Sequence, residues 1–279
     1  MTGYKSRYRY RKAHKIKKKK SIFQSRFFWI FLLALIFLGT AFYFIIFYQY
    51  FQVKEFRISG NNKINSQDIE TLVKEKTGQR LLFFQTKSIF FVSAKNITQS
   101  LLKKYPIIEQ ASLKKEYPAT LIIEIEERSP VAVFCQEDCF FIDKNGVIFD
   151  WGPREYDLVI EAQNKEDSCL GKNIIAQDKL NSILEIRDKL KTNLNINPAK
   201  FLIKENDRID VKTAEGWDIY FDLRNPIDWQ LTKLSLVLEK EIPPEKRGDL
   251  EYIDLRFGNF APFKYRTASA SSTSASSTE

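Results

Sequence analysis

Residues 27–53 contain no charged side chain, and almost every position is aliphatic or aromatic. At the helical rise such a run covers roughly 40 Å, more than the ~30 Å hydrocarbon core of a bilayer. Trp29 stands near one end and Tyr43, Tyr48 and Tyr50 near the other, where amphipathic rings settle at headgroup level. A secretory leader has a shorter apolar run closed by small residues, and Tyr48-Gln49-Tyr50-Phe51-Gln52 offers a peptidase none. The expectation is an uncleaved transmembrane helix over 27–52, in contact with lipid.

Beyond the run the period changes. Phe56 and Ile58 alternate in a strand over 53–59, closed by the turn residues Gly60-Asn61-Asn62. Asn65 or Ser66 is placed to cap a helix whose apolar stripe is Ile69, Leu72 and Val73, with Gly78 at its end. A second helix is expected over 88–104, with Phe90, Ala94, Ile97 and Leu101 on one face. Strands follow over 108–117 and 120–127, the second showing Leu121, Ile123 and Ile125 to one side. The order β-α-α-β-β predicts helices on one face of a three-stranded sheet, over 53–129.

From residue 130 strands dominate. A meander is expected over 131–135, 139–142 and 147–149, with Asp143-Lys144-Asn145-Gly146 as its second turn. Residues 152–173 read as loop. Asp178 is placed to cap a helix to Leu194 that buries Leu180, Ile183, Leu184, Arg187 and Leu190. Strands recur over 201–205, 208–213 and 217–223, then a helix over 225–239 with stripe Leu231, Leu234 and Leu238, then a last strand over 250–257. The class is α+β: one N-terminal transmembrane helix, the β-α-α-β-β unit, and a mostly antiparallel β domain with two helices over 130–266. The Ser/Thr/Ala run 267–279 is too polar to bury a core and is expected to be a disordered tail.

Charge settles the expected orientation. Residues 1–26 hold eleven Lys and Arg and no acid, leaving 33 basic against 35 acidic residues elsewhere, so the net +9 belongs to this tail. Such a flank is retained in the cytoplasm. Tyr4, Tyr8 and Tyr10 interleave with its cations as in some nucleic-acid binders. Topology plus attraction to anionic lipid, about 1 kcal/mol per cation, accounts for the tail without nucleic acid. The rest of the chain then lies outside, where disulfides persist. A three-residue turn puts Cys135 and Cys139 within disulfide reach, so a bonded pair and two free thiols both fit, with Cys169 left over.

Little here supports catalysis. The sole histidine, His14, lies on the cytoplasmic side, which removes Ser-His and Cys-His nucleophiles from the folded part and leaves zinc short of ligands. Ser93 and Lys95 are the nearest Ser-Lys arrangement but fall on a predicted helix. Asp143 and Asp150 are a carboxylate pair, yet Asp in a hairpin turn is ordinary turn chemistry. No glycine-rich phosphate loop is present. No catalytic, cofactor-binding or metal-binding residue is expected, and no small-molecule substrate.

Several stretches carry a family resemblance: Phe56-Arg57-Ile58-Ser59-Gly60-Asn61, Tyr105-Pro106-Ile107-Ile108-Glu109-Gln110-Ala111, Tyr117-Pro118-Ala119-Thr120-Leu121 and Glu127-Arg128-Ser129-Pro130-Val131-Ala132. They resemble a POTRA domain, and more narrowly that of the bacterial division family FtsQ/DivIB. Tyr252-Ile253-Asp254-Leu255-Arg256-Phe257 is the most specific match. The departures are Phe221-Asp222 where the family usually has Leu-Gly, and the cysteine pair, which is not a family hallmark. The resemblance implies a single-pass protein of the cytoplasmic membrane at the division septum. Its partners would be FtsB (DivIC) and FtsL, and it would regulate septal cell-wall synthesis without being an enzyme. It also implies partner binding by strand addition at Tyr252, Arg256, Phe257, Gly258, Asn259 and Phe260. The alternative is a POTRA protein that handles polypeptides in membrane-protein assembly or secretion.

Overall fold

The computed structural model describes residues 26–81, 84–163 and 169–266. The basic tail expected over 1–26 lies outside these residues apart from Arg26, and the tail over 267–279 lies outside them entirely. Helix α1 (Arg26–Phe47) is 22 residues long and buries only Ile46. Its ~33 Å length suits a bilayer core, and it is the one described helix long and apolar enough to cross a membrane. It is shorter than the span expected over 27–52, because a 3-10 turn at Gln49–Phe51 follows it.

The first folded unit keeps the expected order and adds a small hairpin. Strand β1 (Glu55–Ser59), α2 (Ser66–Thr77), β2 (Gln79–Leu81), β3 (Phe84–Thr86), α3 (Ala94–Lys104), β4 (Ile108–Glu116) and β5 (Thr120–Glu127) follow one another. The three-stranded sheet runs β1-β5-β4, with β1 parallel and β4 antiparallel to the central β5. Leu121 and Ile123 on alternate positions of β5 are fully buried against Ile69, Val73, Ile97 and Leu101 from the two helices. Asn65 caps α2 by accepting from the Gln67 N–H at 3.0 Å. The second helix starts at Ala94 rather than 88, because the Ser93 hydroxyl accepts from the Asn96 N–H and sets the start there. Phe90, expected on its buried stripe, is therefore in a turn and exposed. Gly60 has φ +84°, and a Cβ there would sit 1.9 Å from the Ile125 carbonyl oxygen. Only glycine fits where β1 turns away beside β5.

The second unit is a nine-stranded mixed sheet with two helices. Its strands are β6 (Ala132–Cys135), β7 (Cys139–Ile142), β8 (Ile148–Trp151), β9 (Val159–Ala162), β10 (Pro198–Ile203), β11 (Arg208–Thr213), β12 (Asp218–Asp222), β13 (Leu250–Asp254) and β14 (Phe263–Tyr265). Their spatial order is β14-β13-β12-β11-β10-β9-β6-β7-β8. The pairs β6·β9, β9·β10 and β12·β13 are parallel and the others antiparallel. Helices α4 (Gln177–Leu194) and α5 (Ile227–Lys240) share one core with Phe134, Ile160, Phe201, Val211, Ile219, Phe221 and Ile253.

Two expectations fail here. Strand β9 lies within the stretch read as loop, yet it is central, between β6 and β10. Its apolar run is only Leu158-Val159-Ile160, too short to show a period. Asp178 does not cap α4; Ala176 stands at the cap without a side-chain bond, and Asp178 sits in the first turn, where its charge complements the helix dipole. The helix buries Ile186 with Leu180, Ile183 and Leu190, while Leu184 and Arg187 are half-buried.

One buried ion pair joins the units. Arg128, just past β5, donates to the carboxylate of Asp143, which is 1% exposed, and to the Pro106 carbonyl at 3.0 Å. Asp143 also accepts the Asn145 and Val147 N–H groups, each at 2.9 Å.

Candidate functional site

The last strands of the sheet decide where a partner can attach. Strand β13 ends at Asp254, not Phe257, and the chain returns through residues 255–262 to lay β14 against it. Leu250 pairs with Tyr265, Tyr252 with Lys264 and Ile253 with Phe263. The edge expected to be open at Tyr252 is thus occupied by the chain's own residues. The free rim is one strand further out, on β14. The Pro262 carbonyl accepts from the Asp254 N–H and the Arg266 N–H donates to Asp249, both at 2.8 Å. By antiparallel alternation the N–H groups of Phe263 and Tyr265 then point outward.

The other end of the sheet is capped where β8 begins. Along β8 the Ile148 N–H donates to Lys172 at 2.9 Å, the Gly171 N–H donates to Ile148 at 2.7 Å, and Val147 bridges Asn173. No described residue covers β14 in this way. An unpaired rim of N–H and C=O groups is a template for another strand.

Lys233 builds the turn that delivers β14. Its ammonium, on α5 and 5% exposed, donates to the carbonyls of Leu255 at 2.5 Å, Phe257 at 2.8 Å, Gly258 at 3.1 Å and Phe260 at 3.4 Å. Burial pushes its pKa below the usual lysine value, against the pull of Asp254. The Trp229 indole N–H adds a bond to Gly258 at 3.3 Å. With its carbonyls turned inward, the loop shows its rings to solvent: Phe257 is 53% and Phe260 76% exposed. With Ala261, Pro262 and Phe263 they line a shallow groove of about 660 Å³ beside the free rim.

The remaining site residues lie on the sheet face inboard of the rim. Tyr252 stacks on Tyr220 with centroids 5.1 Å apart. Arg256 donates to both oxygens of Asp254, at 2.8 and 2.6 Å, and lies 5.7 Å from the Tyr220 ring. Gly258 and Asn259 sit in the loop with Phe257 and Phe260. Sequence reasoning missed Lys233, Phe263 and Tyr265. The alternation Phe263-Lys264-Tyr265 was the available signal for the last two, and Lys233 stands off the stripe Leu231, Leu234 and Leu238, with nothing in the sequence to mark it.

Asp254 gives an acid response. Burial raises its pKa, but the hydrogen bonds and charge of Arg256 outweigh this and hold the carboxyl below its usual value. A carboxyl depressed in the folded state stabilises above its unfolded pKa, and that stabilisation is lost as pH falls through the folded value. Unfolding midpoints of residues 53–266, followed downward from pH 5, should therefore fall more steeply in the parent than in Asp254→Asn. Parallel curves would remove the pair from the account.

Elsewhere, Cys135 and Cys139 are bonded across their turn, S–S 2.05 Å, and Cys169 is free and exposed. Asp143 is the anchor of its turn and of Arg128, while Asp150 pairs with Lys63 at 3.3 Å. Ser93 is a helix cap. Among the described residues no group of three or more His, Cys, Asp or Glu is arranged to hold a metal ion.

Residues 51–128 match the family model described as POTRA domain, FtsQ-type. The chain is similar to the cell division protein FtsQ of Blochmanniella floridana, 26% identical over 218 residues that cover 72% of this chain and 71% of that one. FtsQ of Geobacter sp. strain M21 is 24% identical over 221 residues, 75% of this chain and 74% of that one. The cell division protein DivIB of Clostridium acetobutylicum is 29% identical over 102 residues, 36% of this chain and 37% of its own.

Proposed function

We propose that this chain is a divisome protein of the FtsQ and DivIB kind, a membrane-tethered scaffold rather than an enzyme, a reading supported by its FtsQ-type POTRA match and its FtsQ and DivIB relatives. Its FtsQ-type POTRA and sheet domains are extracytoplasmic, with the basic N-terminus in the cytoplasm. It gathers FtsB/DivIC-like and FtsL-like partners at the septum, where the assembly regulates cell-wall synthesis. A partner segment adds as a strand to the outer rim of β14. Main-chain bonds give affinity, and the groove of Phe257, Phe260 and Phe263 selects an apolar side chain. Gly258 and Asn259 shape the loop; Tyr252 and Arg256 give the polar face beside it. The observation that carries this is the contrast of rims: β8 is capped at its start by the chain's own residues 171–173, and β14 by no described residue. The Cys135–Cys139 bond suits an oxidising compartment.

Tyr265→Pro removes an outward N–H while sparing the ladder to β13. Co-purification of the coexpressed FtsB/DivIC-like partner should fall at least tenfold, about 1.4 kcal/mol. Tyr265→Ala, which keeps the donor, should lose much less. Equal losses in both variants would mean that the ring, not the edge, is recognised.

A further inference from the structure

The end of α1 is not a free linker. The Ile45 carbonyl accepts from the Ser88 hydroxyl at 2.9 Å, and the Ile46 carbonyl accepts from the Thr86 hydroxyl at 2.9 Å and the Gln52 amide at 2.7 Å. Main-chain bonds from Val53 to Lys87 at 3.0 Å and from Ile89 to Phe51 at 2.9 Å pin the exit a second time. Phe42 on the helix meets Phe91 edge-on at 6.5 Å. A helix end satisfied by side chains of the next domain cannot swivel without giving up those bonds. The POTRA face beside it therefore keeps one attitude to the helix axis.

That face is aromatic. A chain of rings leaves the helix at Phe44 and passes through Tyr48 (5.8 Å), Tyr50 (6.4 Å), Phe51 (5.5 Å) and Phe90 (5.2 Å) to Tyr117 (5.3 Å) at the β4–β5 turn. Tyr48, Tyr50, Phe90 and Tyr117 are 52, 58, 42 and 57% exposed. Lys54 and Lys87 are exposed beside them, and the Lys115 ammonium lies 3.2 Å from the Phe90 carbonyl. Large exposed rings rimmed by cations make an interaction surface, and rings with polar tips next to lysine stems suit the headgroup layer.

We propose that this face is a foot by which the POTRA domain rests on the bilayer, its rings at the boundary of acyl chains and headgroups and Lys54, Lys87 and Lys115 against lipid phosphates. The occupant is lipid because the ring chain starts on α1 itself and continues without a break from the apolar helix surface onto the domain. The proposal rests on α1 being the membrane span. Its consequence is that the tilt of the ectodomain, and with it the position of the β14 rim, is set by the membrane.

The full chain, with Cys169→Ser and its disulfide intact, is reconstituted in nanodiscs of mixed anionic and zwitterionic phospholipid. Nitroxide labels are placed one at a time through Phe90→Cys, Tyr117→Cys, Asn62→Cys at the far end of β1, and Leu38→Cys in α1. Access to oxygen relative to a water-soluble nickel chelate is then read at each. The Leu38 label reports the span independently, and oxygen should dominate there. The labels at Phe90 and Tyr117 should show an oxygen-to-nickel ratio several-fold above that at Asn62. Equal ratios at all three, with Leu38 still in lipid, would overturn the foot alone. Shielding from both reagents at Phe90 and Tyr117 would mean a second copy covers the face, and would also overturn it. A water-exposed Leu38 would remove the span and the foot together.

Discussion

Lys233→Met is expected to release residues 255–260 and to take β14 off the sheet. The ammonium is buried and gathers carbonyls from Leu255, Phe257, Gly258 and Phe260. Methionine keeps the length and volume of the stem but donates nothing, so these carbonyls must find water or stay unsatisfied. A buried polar group left without its partner costs about 1–3 kcal/mol. The loop is near the surface and some carbonyls can turn outward, so the expected loss is about 3 kcal/mol rather than the sum. Denaturant unfolding of residues 53–266 measures it, since both hydrophobic cores close without α1 apart from its neighbour Val53. Amide exchange at Asp254 and Arg266, whose N–H groups bond across β13 and β14, should rise more than in the POTRA sheet. Trp229→Phe, which loses one bond to the same loop, should cost about 1 kcal/mol. If Lys233→Met unfolds like the parent and β14 stays protected, the ammonium is not what holds the rim in place.

Arg128→Ala is expected to loosen the joint between the two folded units. Asp143 is almost fully buried between the Arg128 guanidinium and the N–H groups of Asn145 and Val147. Removing one partner of a buried pair leaves an uncompensated charge, typically worth 3–5 kcal/mol. The two remaining N–H bonds soften the loss, so the lower end, about 3 kcal/mol, is expected. The pairs nearby, exposed Lys144 with half-buried Glu109 at 3.0 Å and exposed Lys63 with Asp150 at 3.3 Å, each hold their cation in solvent and contribute less. Adding Asp143→Asn to Arg128→Ala should recover part of the loss, because an amide still accepts from the turn and carries no charge to desolvate. Proteolysis between 128 and 131 should quicken in the single variant and slow again in the double. A double variant less stable than Arg128→Ala would show that the carboxylate is wanted for the turn alone.

Much of this molecule is local. An uninterrupted apolar run needs only its length to become a long exposed helix, and α1 could be read directly. The stripes Ile69-Leu72-Val73 and Leu231-Leu234-Leu238 and the alternation in β5 were equally plain, because each buries one face and that face dictates the period. The cysteines at Cys135 and Cys139 needed only a short turn between them, though spacing left bonded and free thiols both open.

Pattern along the chain was therefore enough for the helices, most of the strands, their order, and the family to which their motifs point. Tertiary structure alone decided three things. It made β9 a central strand, because a run of three apolar residues has no period and becomes a strand only when β6 and β10 supply its hydrogen bonds. It moved the open rim from β13 to β14, because strand neighbours are set by register between distant segments rather than by the pattern within either. And it made Lys233, which stands off the stripe Leu231-Leu234-Leu238, the clasp of the last turn, since a buried ammonium is tolerable only where several carbonyls converge on it, and that convergence appears only once the chain has folded back.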